Sequence, residues 1–357
     1  MERLRVAVVG AGYWGPNLIR NFRSSPDWDL VAVCDHVESR AVAARGPRST
    51  VDVETSLDRL LARNDIDAVA IATPARTHLA IALQALKSGR HVLVEKPLAE
   101  SRADAMKIAV AAAERDLTLM CDHTYCYTPV VQRISELIRD GVVGDVHFID
   151  SVRINLGLIQ RDVDVLWDLA PHDLSILDAI LPGGFAPLSV SAHGADPIGA
   201  GLACVGYLTM PLANGGIVHV HVNWLSPTKI RQMVIGGSRR MLVWDDLHPQ
   251  QRLSVYDRGV NLESTDDMAQ RRDSVISYRL GDMQAPAIPE REALGAMVAE
   301  FAAAIREGRP PRTDGLAGLR VLTVLEAASH SLAAGGVLVP VPETRLGPVA
   351  DLSEVSP

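Results

Sequence analysis

No apolar run in the chain reaches the roughly 18 residues that a membrane-crossing helix needs, so no membrane partner is expected. The N-terminus enters a strand-like run, Leu4 to Val9, almost at once, which leaves no space for a secretory signal there. Cysteine is sparse. Cys34, Cys121, Cys126 and Cys204 form no CxxC pair and no dense framework, the pattern of reduced thiols in a cytoplasmic protein. A basic excess is missing too: 35 Lys+Arg stand against 43 Asp+Glu, a net charge of −8. That balance argues against a nucleic-acid partner, which needs a basic surface, but leaves room for a local pocket that takes a phosphate. Repeats and low-complexity tracts are absent. With 48 % hydrophobic residues the chain is too apolar to be disordered, and 357 residues suggest two domains.

The first third alternates β-branched runs with helical stretches. Strands are expected at Arg5–Val9, Leu30–Cys34, Ala68–Ala72, His91–Val94 and Leu117–Cys121, and helices at Thr77–Ser88 and Ala103–Arg115. The strands are apolar throughout, as in a parallel sheet covered by helices on both faces. This is the signature of a doubly wound α/β domain. Helices then follow at Pro129–Asp140 and Leu169–Leu181, with a strand between them at Val146–Ile154. From Leu188 to about Tyr278 strand-like segments (Leu202–Met210, Gly216–Trp224, Arg231–Ile235, Met241–Trp244) succeed one another with little helix signal, which points to a mostly antiparallel sheet. Helices near Arg291–Arg306 and Gly315–Ala334 close the pattern. The expected division is 1–122, 123–345 and a polar tail over 346–357.

Gly10-Ala11-Gly12-Tyr13-Trp14-Gly15 fits G-x-G-x-x-G after a strand and at the opening of a helix. Asp35 ends the second strand about 20 residues later, where a carboxylate accepts the adenine-ribose hydroxyls of a dinucleotide. Gly10 permits the tight turn, Gly12 lets backbone N–H groups approach the pyrophosphate, and Gly15 lets helix and strand pack closely. The helix N-terminus favours negative phosphates. A glycine-rich turn beside a surface aspartate is the plain alternative. Asp35 repels a 2′-phosphate, so NAD is favoured over NADP, although Arg40 lies close enough to temper the preference.

Two more motifs stand further on: Glu95-Lys96-Pro97 at the end of the fourth strand, and Trp167-Asp168-Leu169-Ala170-Pro171-His172-Asp173. With the fingerprint, Ala72-Thr73-Pro74 leading to His78, and Asp314-Gly315 before the last helix, the chain resembles the Gfo/Idh/MocA oxidoreductases over nearly its whole length. The resemblance implies an N-terminal Rossmann domain and a C-terminal α+β domain with a large open, mostly antiparallel sheet. It also implies homodimers or homotetramers built through that sheet. His123-Thr124-Tyr125 and Asn155-Leu156-Gly157 look most like the branch acting on sugar nucleotides and amino sugars, which includes 3-dehydrogenases and 3-ketoreductases of antibiotic sugar pathways.

Oxidising an alcohol with a nicotinamide needs a group that takes the hydroxyl proton. The resemblance carries the active-site lysine onto Lys96 and the aspartate and histidine onto Asp168 and His172. Asp168 and His172, four residues apart on a helix, share one face. On residues alone Asp168 could equally cap that helix and His172 be structural. His172 is assigned as general base, with Lys96 polarising the hydroxyl and Asp168 orienting the substrate. Thr73, Pro74 and His78 are expected to line the cofactor path, together with Tyr13, Trp14, Glu95 and Lys96. Interdomain packing is the alternative for Trp14. Arg153, Asn155, Gln160 and Arg161 are candidates for sugar or phosphate recognition, surface ion pairing being the alternative for the arginines. His123, Tyr125 and Tyr127 sit at the domain junction. Asp122-His123 and His172-Asp173 match no metal-ligand spacing, so no metal is expected. The expected activity is NAD-dependent oxidation of a hexose ring hydroxyl, most naturally at C3, in a nucleotide sugar or amino-sugar glycoside. Keto-sugar reduction and inositol or free-sugar oxidation are the neighbouring alternatives. A non-catalytic NAD sensor should have lost one of Lys96, Asp168 and His172, and all three are present.

Overall fold

The computed structural model describes residues 2–262 and 276–346. Its first part is the alternating series β1 (Leu4–Val9), α1 (Gly15–Ser24), β2 (Trp28–Cys34), α2 (Glu38–Arg45), β3 (Asp52–Glu54), α3 (Leu57–Leu61), β4 (Ala68–Ile71), α4 (His78–Lys87), β5 (His91–Glu95), α5 (Arg102–Ala113) and β6 (Leu119–Asp122). The strands form one parallel sheet in the order β3-β2-β1-β4-β5-β6. The order reverses between β1 and β4, so the crevice at the carboxyl ends of these strands is where a ligand binds in such sheets. Val6, Ala7 and Val8 of β1 and all of β4 are buried, which is why these strands read as unbroken apolar runs. The short β3, α2 and α3 gave no sequence signal. They carry few buried side chains, Ala41 being the only one in α2 and Leu60 the only one in α3.

After α6 (Pro129–Arg139), β7 (Val146–Leu156) and α7 (Val165–Ile180) come β8 (Ser189–Ala195), β9 (Val205–Pro211), β10 (Ile217–Asn223), β11 (Leu225–Gly237), β12 (Met241–Asp245), β13 (Leu253–Leu262) and β14 (Ile276–Gln284). The chain continues through α8 (Ala293–Glu307), α9 (Gly315–Ala333) and β15 (Val339–Pro340). The nine strands lie in the order β14-β13-β12-β11-β7-β10-β9-β8-β15. Every pairing is antiparallel except β10 with β7. Side chains alternate: Leu208, Met210, Val218, Val220 and Val222 are buried, while Tyr207 and Ile217 are 48 % and 40 % exposed on the opposite face. The α8 helix, placed with the second unit by sequence, packs on the first sheet instead. Trp28 stacks on Phe301 at 5.3 Å and donates its indole N–H to Val298 O at 2.7 Å.

The α7 helix starts earlier than its apolar pattern suggests. Asp164 is the N-cap, its side chain accepting from Trp167 N at 3.0 Å, and Val165 opens the helix. Asp168 is therefore no cap. Pro171 stands inside the helix rather than in its first turn, with no N–H to give the Trp167 carbonyl. The four cysteines are free and buried. Among the described residues no helix is long and apolar enough to cross a membrane. Of the tail expected over 346–357, all but Leu346 lies outside the described residues.

Candidate active site

The fingerprint turn is shaped by close approach. Gly10 has φ +99°, and a Cβ there would lie 2.7 Å from the Ala72 carbonyl carbon; at Gly15 it would lie 2.1 Å from Gly10 O. A Cβ on Gly12 would meet nothing within 4 Å, so the backbone there borders open space. That space is a cleft of ≈ 660 Å³ lined by Gly12, Tyr13, Trp14, Asp35, Thr73, Pro74 and Glu95, among others. Asp35 is fixed at one end by two backbone donors, Ala11 N and Val37 N, each at 2.8 Å. Arg40 lines the same end.

At the other end, β5 and β6 place Glu95 and Asp122 side by side in register. Burial, and then the Asp122 charge, push the Glu95 carboxyl well above the usual carboxylate range. Its shielded Oε2 has no hydrogen-bond partner in the chain. Asp122 accepts from Trp14 Nε1 at 3.1 Å and from the Thr124 hydroxyl, which ties the fingerprint turn to the domain junction. The cleft thus offers an exposed backbone turn at a helix start, a fixed carboxylate and an unmatched carboxyl, a donor set that fits a dinucleotide. His78 is not part of the lining. It is 1 % exposed, with Nε2 2.8 Å from Thr73 O and Nδ1 2.9 Å from Pro97 O, and braces the wall from behind.

Lys96 follows at the strand end, its bond to Pro97 being cis, and crosses to the second domain. Its Nζ donates to Asp168 O on α7 at 3.4 Å. The Asp168 carboxylate accepts from Trp224 Nε1 at 3.0 Å. One turn on, burial holds His172 well below the ordinary histidine value, helped by the charges of Lys96, Arg153, His123 and Arg231. Tyr125 meets His172 edge-on, with ring centres 5.0 Å apart. Behind them His123 is 2 % exposed, with neither ring nitrogen bonded, and burial pushes it down to about 3.

Arg153 is not a surface arginine. It is 3 % exposed and forks onto Asp173, Nε to Oδ2 at 2.8 Å and Nη2 to Oδ1 at 3.1 Å, with Ser151 also donating to Oδ1 at 2.9 Å. Asn155 is the penultimate residue of β7, half-buried. Gln160 and the exposed Arg161 lie on the segment between β7 and α7. Tyr127 is withdrawn into the core, bonded to Thr313. Trp224, Arg231 and Asp122 join the site without having been expected there. Trp224, between β10 and β11, reaches Asp168 on α7, Arg231 on β11 reaches Tyr125, and Asp122 on β6 reaches Trp14, and only the folded sheets bring these partners together. Among the described residues no group of three or more His, Cys, Asp or Glu side chains is arranged to hold a metal.

Residues 4–123 match the profile of the oxidoreductase family with an NAD-binding Rossmann fold, GFO_IDH_MocA. The UDP-N-acetylglucosamine 3-dehydrogenase of Acidithiobacillus ferrooxidans is 29 % identical over 90 % of this chain and 95 % of its own. Over residues 4–123 the chain has the NAD-binding Rossmann fold of the Gfo/Idh/MocA oxidoreductases. A solved structure of that dehydrogenase, GnnA, superposes with TM-score 0.78 at 27 % identity, covering 94 % of this chain and 99 % of the other. GenD2 from gentamicin A biosynthesis, solved with NAD, gives TM-score 0.78 at 26 % identity over 96 % and 97 %. The fold shared with these solved structures is the two-sheet architecture described above, and the N-terminal sheet is the part that matches the NAD-binding family profile.

Proposed function

We propose that the chain oxidises a ring hydroxyl of a hexose unit, at C3, in a nucleotide sugar or amino-sugar glycoside, with NAD as acceptor. The observation that carries this reading is the meeting of Lys96 Nζ with α7 at Asp168 O, one turn from His172, beside the dinucleotide cleft. The sugar position is drawn from the relatives, one a UDP-N-acetylglucosamine 3-dehydrogenase and another a dTDP-sugar 3-reductase of Streptomyces violaceoruber, 32 % identical over 42 % of this chain. The uncovered face of the large sheet, with Tyr207 and Ile217, supports assembly as a homodimer or homotetramer.

Gly10, Gly12 and the start of α1 would hold the pyrophosphate, Asp35 the adenine ribose, and Thr73, Pro74, Trp14 and Glu95 the nicotinamide end. Bound there, NAD would supply the hydride acceptor for the carbinol carbon. The chain handles the proton. The Lys96 ammonium hydrogen-bonds the hydroxyl oxygen and stabilises its developing negative charge. His172, neutral because it is buried among cations, accepts the proton. Asp168, fixed by Trp224, orients the sugar from the same helix face. Reduction of a keto-sugar would run the same steps backwards.

A spectrophotometric screen of NAD reduction against UDP- and TDP-hexoses, inositols and aminoglycosides is expected to find turnover with a nucleotide or amino sugar. Turnover confined to inositols or free sugars would overturn that assignment. A second expectation concerns pH. The value of His172 lies well below 6.5, so the free base persists as pH falls to that point and is lost only further down. The kcat/KM for oxidation should stay level from about pH 8 down through 6.5 and decline only below it. An acid limb centred at or above 6.5 would move proton acceptance to another group.

A further inference from the structure

Arg153 on β7 and Arg231 on β11 are directly opposite across an antiparallel ladder. Like charges so placed destabilise a sheet unless carboxylates or a bound anion offset them. Both guanidinium groups address one ring: Arg153 Cζ stands 4.5 Å and Arg231 Cζ 5.8 Å from the centre of Tyr125, whose edge meets His172. The nearby carboxylates meet this demand only in part. Asp173 takes Nε and Nη2 of Arg153 and leaves Nη1 buried without a partner. Asp168 is held by Trp224. Asp246 makes an ion pair with Arg231 at 3.7 Å, longer than a hydrogen bond, and the Arg231 side chain stays 31 % exposed.

We propose that this corner receives an anionic group of the substrate, carried close to the reacting hydroxyl and bound by Arg231 and Arg153 Nη1. The inference rests on the dehydrogenase reading above and narrows its substrate to a sugar bearing a carboxylate or phosphate oxygen at that place; neutral inositols and free hexoses fall outside. A bound anion also offsets the cations that make His172 a weak base, so the right substrate strengthens the base that deprotonates it.

The test titrates NAD-loaded wild type, Arg231→Gln and Arg231→Lys calorimetrically with UDP-glucuronate, UDP-glucose and glucuronate. If a ring carboxylate is the source, wild type binds UDP-glucuronate at least about tenfold more tightly than UDP-glucose, and Arg231→Gln erases that ratio without weakening UDP-glucose. If the diphosphate is the source, both UDP-sugars weaken at least about tenfold in Arg231→Gln and glucuronate does not bind. In either case Arg231→Lys keeps part of the affinity. The Tm of unliganded Arg231→Gln stays level or rises as a like-charge pair is relieved, whereas loss of a merely structural arginine lowers it. Equal affinities in wild type and Arg231→Gln, failure of wild type to bind either UDP-sugar or glucuronate, or a lowered Tm with unchanged binding overturn the inference. NAD reduction by a neutral sugar at a rate that Arg231→Gln leaves unchanged also overturns it, while the dehydrogenase reading stands. Binding of the anionic sugars without NAD reduction by any sugar has the opposite meaning.

Discussion

Lys96→Ala is expected to lower turnover by about 10²- to 10⁴-fold, the range lost when a positioned proton-handling group is removed. NADH affinity should be nearly unchanged. The separation follows from where the side chain goes. Glu95 lines the dinucleotide cleft, whereas the next residue turns to α7, its Nζ reaching Asp168 O. Removing the ammonium takes away the charge that steadies the developing alkoxide, but no cleft wall. Fluorescence titration of NADH beside steady-state kinetics reads both quantities. Full turnover in Lys96→Ala would remove this residue from the chemistry. A parallel loss of NADH affinity would place it in cofactor binding instead.

The second large effect falls on stability. Arg153 and Asp173 form an ion pair whose side chains are 4 % and 3 % exposed, linking β7 to α7 beneath Tyr125. Burial works against the Arg153 charge, and Asp173 more than offsets it, so the guanidinium is held more firmly charged than in water. Breaking such a pair leaves one desolvated charge alone. Asp173→Ala is expected to cost about 3–5 kcal/mol in urea unfolding of the domain that contains it. Arg153→Met combined with Asp173→Leu should recover most of that loss, since neither charge then remains buried. A single substitution costing under about 1 kcal/mol would mean that water reaches the remaining partner. The double variant is also expected to be a poor enzyme, because α7 carries both Asp168 and His172.

Much of this architecture is legible residue by residue. A parallel strand covered on both faces must be apolar at every position, so β1, β4 and β5 stand out in the sequence. The fingerprint is legible because glycine alone tolerates the positive φ of Gly10 and the contact at Gly15. The start of α7 was misplaced because its capping residue, Asp164, precedes a helix whose proline reads as a first-turn residue. His78 shows a different limit. Its place in the motif is local information, but whether a ring faces a cleft or braces a wall depends on what packs around it, here Thr73 O and Pro97 O.

Sequence alone determined most of the order of elements and the dinucleotide turn, because backbone sterics, strand burial and motif spacing act within a few residues, and the three residues proposed for chemistry came from the family resemblance of their motifs. Only the tertiary structure decided what those residues meet. Trp224 against Asp168, Asp122 against Trp14, and Arg231 against Arg153 and Tyr125 are pairs separated by long stretches of chain. Their charges and hydrogen bonds act over a few ångströms of space, so until sheet register and the docking of α7 bring them together, nothing in their local sequence distinguishes them.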